Sequence, residues 1–189
     1  IPERLEAFEY LLGTGRVSSD ETLMLQAGSP SRENVVAYQD LRERVDKDVR
    51  RINLKYPTES GRDAVLYRAE NLERTEMLAL FVAADVMVVS SLRDGMNLVA
   101  KEFVACRNDD SGVLVLSPFT GAADQMKDAV LANPRDREAL ADAMFAAARM
   151  TSDEQRKRMR ALRQEVRQHD VAWWAGQILR DLGSLRRHP

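Results

Sequence analysis

Within ten residues, Arg93-Asp94-Gly95-Met96-Asn97-Leu98-Val99-Ala100-Lys101-Glu102 brings together groups that could hold a phosphorylated sugar. Asp94 and Asn97 flank a turn and could grip hydroxyls. Leu98 to Cys106 reads as a helix, whose first amides lack internal partners and carry the positive end of the helix dipole, so they could cradle a phosphate. Glu102, one turn beyond Leu98, could accept hydrogen bonds from a ribose diol. Just before the turn, Asp85-Val86-Met87-Val88-Val89-Ser90 is an apolar, β-branched run, the pattern of a buried parallel strand. A polar turn between the carboxyl end of a strand and a helix is where open α/β sheets bind ligands. Together these groups suit a nucleotide-sugar site. Asp94 also has a plainer reading, as a carboxylate that only complements the helix dipole.

The elements around this segment are legible from periodicity. Pro2 to Leu12 places Leu5, Phe8, Leu11 and Leu12 at helical spacing, and Gly13-Thr14-Gly15 ends it. Thr22 to Ala27 reads as a strand. Ser31 is a suitable N-cap for a long helix to about Lys55, apolar on Val35, Tyr38, Leu41, Val45, Val49 and Ile52. Ala64 to Tyr67 reads as a strand, and Glu73 to Ala84 as a helix buried on Met77, Leu80 and Phe81. Beyond the central segment come a strand at Gly112 to Leu116, a short helix at Gly121 to Lys127, a short strand at Ala129 to Ala132, and helix from Asp136 onward. Strands alternating with helices predict an α/β domain of Rossmann type, a parallel sheet with helices on both faces, over residues 1–150. Residues 151–189 form charged amphipathic helices, with Met159, Leu162 and Val166 on one apolar stripe and Val171, Trp174, Ile178 and Leu182 on the other.

Composition narrows the classes. With 189 residues the chain suits one sizeable domain. A net charge of −2 gives no reason to expect nucleic acid or an anionic membrane surface, and no apolar run approaches a membrane span. Cys106 is the only cysteine, which fits a reducing cytoplasm and a small apolar filler on a helix face. His169-Asp170 occurs in metal phosphohydrolases, but two histidines and one cysteine argue against a dedicated metal site. Trp173-Trp174 could stack on sugar; in an amphipathic helix one of the two more often fills core or interface. Lys101 on its helix could simply face solvent, Arg93 could brace the turn by pairing with a carboxylate, and a lone arginine such as Arg32 is usually solvated.

The segment Arg93–Glu102 closely resembles the donor-binding motif of the trehalose-6-phosphate synthases, retaining glycosyltransferases of the two-domain GT-B type. Further blocks occur in the same order: Ser31-Arg32 with Ala37-Tyr38-Gln39, Arg51-Ile52-Asn53 with Lys55-Tyr56, Val113 to Ser117 with Gly121-Ala122-Ala123, and Asn133-Pro134 with Asp136. The resemblance covers nearly the whole chain. It implies transfer of glucose from UDP-glucose to glucose 6-phosphate with retention, giving trehalose 6-phosphate. It assigns Asp94, Gly95, Met96 and Asn97 to the glucose, the Leu98 and Val99 amides to the diphosphate, and Glu102 to the ribose; Ala100 and Lys101 lie within the same donor-binding motif. It places Leu72 near the uracil and Arg32 on the acceptor phosphate, where an always-charged, bidentate guanidinium suits the task. It assigns no protein nucleophile and calls for no cofactor or metal.

Three departures bear on specificity: Leu72 where some relatives have an aromatic residue, Pro118 in place of a glutamate in Ser-Glu-Phe, and Gln125 in place of an acid. They leave open a related transferase using ADP-glucose or another acceptor such as glycerol 3-phosphate. A non-catalytic homologue that binds sugar nucleotides is a second alternative. Ile1-Pro2-Glu3-Arg4 resembles the tail of a family loop whose preceding basic pair clamps the donor diphosphate. The resemblance therefore implies a carboxyl-terminal, donor-binding part of a longer polypeptide, inactive alone. Its last helix would pack on an amino-terminal domain, and a central strand would precede Ile1. The isolated piece would associate through its open sheet edge; a homo-oligomer of the whole protein is compatible with this reading.

Overall fold

The structure, a computed structural model, describes residues 1–28 and 36–185. Ser31, Arg32 and Val35 lie outside the described residues. Thirteen elements follow one another: α1 (Pro2–Gly13), β1 (Met24–Ala27), α2 (Val36–Lys55), β2 (Val65–Arg68), α3 (Arg74–Ala83), β3 (Val86–Val89), α4 (Leu98–Cys106), β4 (Val113–Leu116), α5 (Ala122–Gln125), β5 (Val130–Leu131), α6 (Arg137–Ala148), α7 (Ser152–Gln168) and α8 (Val171–Leu185). All strand pairing is parallel, and a helix follows every strand, so the α/β expectation holds.

The sheet comes in two pieces. β1 pairs with β2, Met24 opposite Val65; β3, β4 and β5 form the other piece, with Val86 opposite Val113 and Val115 opposite Val130. A parallel sheet with its central strand outside this chain was expected from the family resemblance. Among the described residues no strand joins the pieces, so one edge of β1 and one of β3 stay unpaired. On β3 the Val88 carbonyl instead accepts a 2.8 Å hydrogen bond from Arg4 Nη1.

Packing follows from the stripes in the sequence. α1 buries Leu5, Phe8 and Leu12 against Val45, Val49 and Ile52 of α2 and Val65 of β2. Its Ala7 and Leu11 pack with Val113 and Val115 of β4 and Leu140 and Ala141 of α6. α1 thus contributes to the cores of both sheet pieces. The third core lies under the candidate site: Ala100, Phe103 and Val104 of α4 with Leu114 and Leu116 of β4, Phe81 of α3, and Met159 and Leu162 of α7. β4 is buried at every position, which explains its uninterrupted apolar run.

Polar side chains close ends that backbone pairing leaves open. Asn53 of α2 bonds both backbone groups of Val65, donating to its carbonyl (2.9 Å) and accepting from its amide (2.8 Å). The buried Arg107 guanidinium donates to Phe81 O and Ala84 O, both at 3.1 Å, and to Val82 O, so it covers the carbonyl end of α3. The α7 stripe is buried as expected, with Met159 1% and Leu162 2% exposed. The α8 stripe is not: Val171, Trp174, Ile178 and Leu182 are all exposed and belong to none of the cores formed by the described residues.

Candidate functional site

The site is built at the carboxyl end of β3, and backbone geometry fixes it more than side-chain reach does. Asn97 sits at φ 72°, in the left-handed region, where asparagine is among the few residues that fit without strain. Its Oδ1 accepts from Ala100 N at 3.0 Å and caps α4. Its Nδ2 donates to Asp94 Oδ2 at 2.8 Å, and Asp94 Oδ1 accepts from Met96 N at 3.2 Å. Asp94 and Asn97 therefore hold each other and shape the turn. Each retains lone pairs for a hydroxyl, but the first task of both is to set the loop.

A second loop pins the first. Asp94 N donates to Phe119 O (3.2 Å), Gly121 N to Asp94 O (3.2 Å) and Ala122 N to Met96 O (2.9 Å). Asp94 and Thr120 thereby form an isolated parallel bridge beyond the end of the β3–β4 ladder. The approach is close enough to require glycine: a Cβ on Gly121 would lie 2.0 Å from the Gly95 carbonyl oxygen. Sequence reasoning noted Gly121 within a family block and at the start of a short helix, without a role at the site. The available signal was a lone glycine between a strand and an Ala-Ala helix start.

What the loop offers to a ligand is mainly backbone. Among the described residues the amides of Gly95, Asn97, Leu98 and Val99 have no acceptor. The last two belong to the first turn of α4. Leu98 is 61% exposed and Val99 41%. Glu102, four residues beyond Leu98 and on the same face, is exposed and makes no hydrogen bond or ion pair with a described residue. Four residues further, burial and then the Glu102 carboxylate push the Cys106 thiol pKa up, which makes it a poor nucleophile. A cavity of about 280 Å³ opens beside this turn, lined by Ile1, Arg4, Ser90, Ser91 and Val99 among others.

The remaining candidates separate. Ala100 is fully buried and serves packing, with its amide taken by the Asn97 cap. Leu72 is half-buried in the connection between β2 and α3. Arg93 is exposed and pairs with no carboxylate among the described residues, so the expected bracing is not found. Lys101 does not simply face solvent: its Nζ donates to Gln125 Oε1 at 2.7 Å and to His169 O at 3.5 Å. Burial lowers its pKa, and Glu165 nearby opposes that shift. No described helix is long and apolar enough to cross a membrane.

Comparison with known proteins agrees with the geometry. The glycosyltransferase family 20 model matches residues 1–184. The chain is 50% identical over 179 residues to the trehalose-6-phosphate synthase of Mycobacterium avium (strain 104), covering 95% of this chain and 36% of that protein. To that of Mycobacterium tuberculosis (strain ATCC 25618 / H37Rv) it is 48% identical over 189 residues, 100% of this chain and 37% of that one. It therefore spans little more than a third of these curated relatives. Among solved structures it resembles the UDP-forming α,α-trehalose-phosphate synthase of Burkholderia xenovorans in complex with glucose-6-phosphate. That match has TM-score 0.90 and 38% identity, covering 96% of this chain and 40% of the other. It also resembles the Escherichia coli protein bound with UDP-2-fluoro glucose, with TM-score 0.91 and 36% identity over 96% and 40% of the two chains. With a family model matched along almost its whole length and relatives at half identity, the chain belongs to glycosyltransferase family 20.

Proposed function

We propose that this chain is the donor-binding part of a retaining glucosyltransferase that makes trehalose 6-phosphate from UDP-glucose and glucose 6-phosphate. The observation that carries this reading is the first turn of α4, where the unpartnered amides of Leu98 and Val99 share an exposed helix face with the unpaired carboxylate of Glu102. Amides at a helix start suit the donor diphosphate, and a carboxylate one turn along suits the ribose diol. Gly95, Met96 and the free lone pairs of Asp94 and Asn97 would face the glucose. Leu72 would give the base an apolar contact, and Arg32, outside the described residues, would take the acceptor phosphate.

The chemistry asked of this domain is positioning and electrostatic. No side chain in the turn is built as a nucleophile: Asp94 is held by two hydrogen bonds, and the Cys106 thiol is raised by burial. Retention would follow from attack of the acceptor hydroxyl on the face the departing diphosphate leaves. The α4 amides would stabilise charge as it builds on that diphosphate, and the pinned loop would need little rearrangement to do so.

The rest of the machinery would come from the same polypeptide outside this chain. A strand between β1 and β3 would satisfy both open edges. An amino-terminal domain would cover the exposed apolar side of α8, which belongs to a helical part over 151–189, whereas residues 1–150 carry the site. The single Cys106 supports a cytoplasmic setting. The test is an assay of the full-length protein with UDP-, ADP- and GDP-glucose against glucose 6-phosphate and glycerol 3-phosphate, with product identity and anomeric configuration read by NMR. Trehalose 6-phosphate with both anomeric linkages α from UDP-glucose is the expected product. Turnover only with another donor or acceptor would reassign specificity, and binding without turnover would favour a regulatory homologue.

A further inference from the structure

Lys101 lies in the first turn of α4 and is tied to two other elements, α5 and the α7–α8 corner. Its Nζ donates to Gln125 Oε1 at the end of α5 (2.7 Å) and to the carbonyl of His169, the residue that ends α7 (3.5 Å). α5 starts at Ala122, whose amide holds Met96 O of the donor loop. His169 begins a corner: Asp170 Oδ1 accepts from Trp173 N (2.9 Å) and starts α8, and the His169 ring stands edge-on to Trp173 with centroids 4.4 Å apart. Glu165 faces the same corner, with its Oε2 2.8 Å from His169 Nδ1. One half-buried ammonium therefore joins three parts: the helix turn that offers its amides, the helix behind the donor loop, and the α7–α8 corner.

We infer that Lys101 is a positioning residue that couples the α7–α8 corner to the donor loop, so that the placement of α8 tunes donor binding through α4 and α5. It rests on the donor reading given above. Three features make coupling the better account than simple packing. An ammonium needs several acceptors when it leaves water, and here they come from two different elements. Rotating the first turn of α4 changes the direction of the Leu98 and Val99 amides, because Lys101 shares that turn. Gln125 is a neutral partner, so its hydrogen bond holds the strut without an ion pair, and a shift of the corner is less strongly opposed.

The test uses the full-length protein with 5-fluorotryptophan, the Trp173 resonance being assigned through Trp173→Phe. Lys101→Met should move that resonance even without donor. It should raise the UDP-glucose KM roughly fivefold, the scale of one lost hydrogen bond, with kcat largely kept and the acceptor KM unchanged. In the unsubstituted protein saturating UDP-glucose should shift the Trp173 signal, and in Lys101→Met that shift should vanish, while Lys101→Arg restores part of both effects. Gln125→Leu, which leaves the lysine in place, should act in the same direction and serves if Lys101→Met does not fold. A variant that keeps the Trp173 shift and the donor KM, or one that only lowers thermal stability, would overturn the coupling. Failure of the unsubstituted protein to bind UDP-glucose would instead overturn the donor reading, and the donor-free Trp173 shift would still decide the strut.

Discussion

Gly121→Ala should damage the donor loop without touching any ligand. The backbone at Gly121 has φ −62° and ψ −25°, which alanine adopts freely. Considered alone, the change should stabilise by about 0.4–1 kcal/mol through the unfolded chain. The contact decides otherwise. The new Cβ would stand 2.0 Å from Gly95 O and 3.0 Å from Gly95 C. A carbon normally meets a carbonyl oxygen at about 3.3 Å or more, so the two loops must part by more than ~1 Å. The obstacle is backbone on both sides, so no side chain can swing away. Three bonds span the seam: Gly121 N to Asp94 O, Ala122 N to Met96 O and Asp94 N to Phe119 O. At about 0.5–1.5 kcal/mol net each, their loss costs ~1.5–4.5 kcal/mol, which leaves about 0.5–4 kcal/mol of net destabilisation after the unfolded-state gain. Urea unfolding of the full-length protein should show a lower midpoint at unchanged slope. Donor affinity should fall as well, because the same seam sets the Asp94–Asn97 turn. An alanine variant with an equal or higher midpoint and undiminished affinity for UDP-glucose would refute the argument that this close approach holds the site.

Three further outcomes are expected. Glu102→Ala should weaken UDP-glucose binding by about 1–3 kcal/mol, the range for a lost partner to buried hydroxyls, with little change for the acceptor; calorimetric titration giving an unchanged donor affinity would take Glu102 out of the site. Arg32→Ala should raise the KM for glucose 6-phosphate and leave the weak reaction with free glucose nearly as it was. Equal losses with both acceptors would show that Arg32 does not read the phosphate. Arg107→Leu should destabilise the fold by about 2–4 kcal/mol, since it strips partners from the carbonyls of Phe81, Val82 and Ala84; a chemical-denaturation midpoint matching the parent would show that water takes over that cap.

Much of this protein is legible in its sequence because local chemistry and tertiary packing agree. β4 reads as a fully apolar run and is buried at every position; α4 spans Leu98–Cys106 in both readings, since Asn97 supplies a cap that a local rule can find. The donor segment could be picked out because loop, cap and helix are contiguous, and short-range hydrogen bonds such as Asp94 to Asn97 need only the intervening residues. Everything that depended on a partner distant in the chain had to wait for tertiary structure. The exact fit of Gly121 against Gly95 joins residues 26 positions apart, and Lys101 meets His169 across 68; no periodicity reports either. Arg93 illustrates the opposite failure: its type suggested an ion pair, but among the described residues it makes none. The division of the sheet and the exposed stripe of α8 were anticipated only through the family resemblance, not by any local pattern. Hydrophobic pattern states that a surface must be covered, and only the three-dimensional arrangement determines what, among the described residues, covers it.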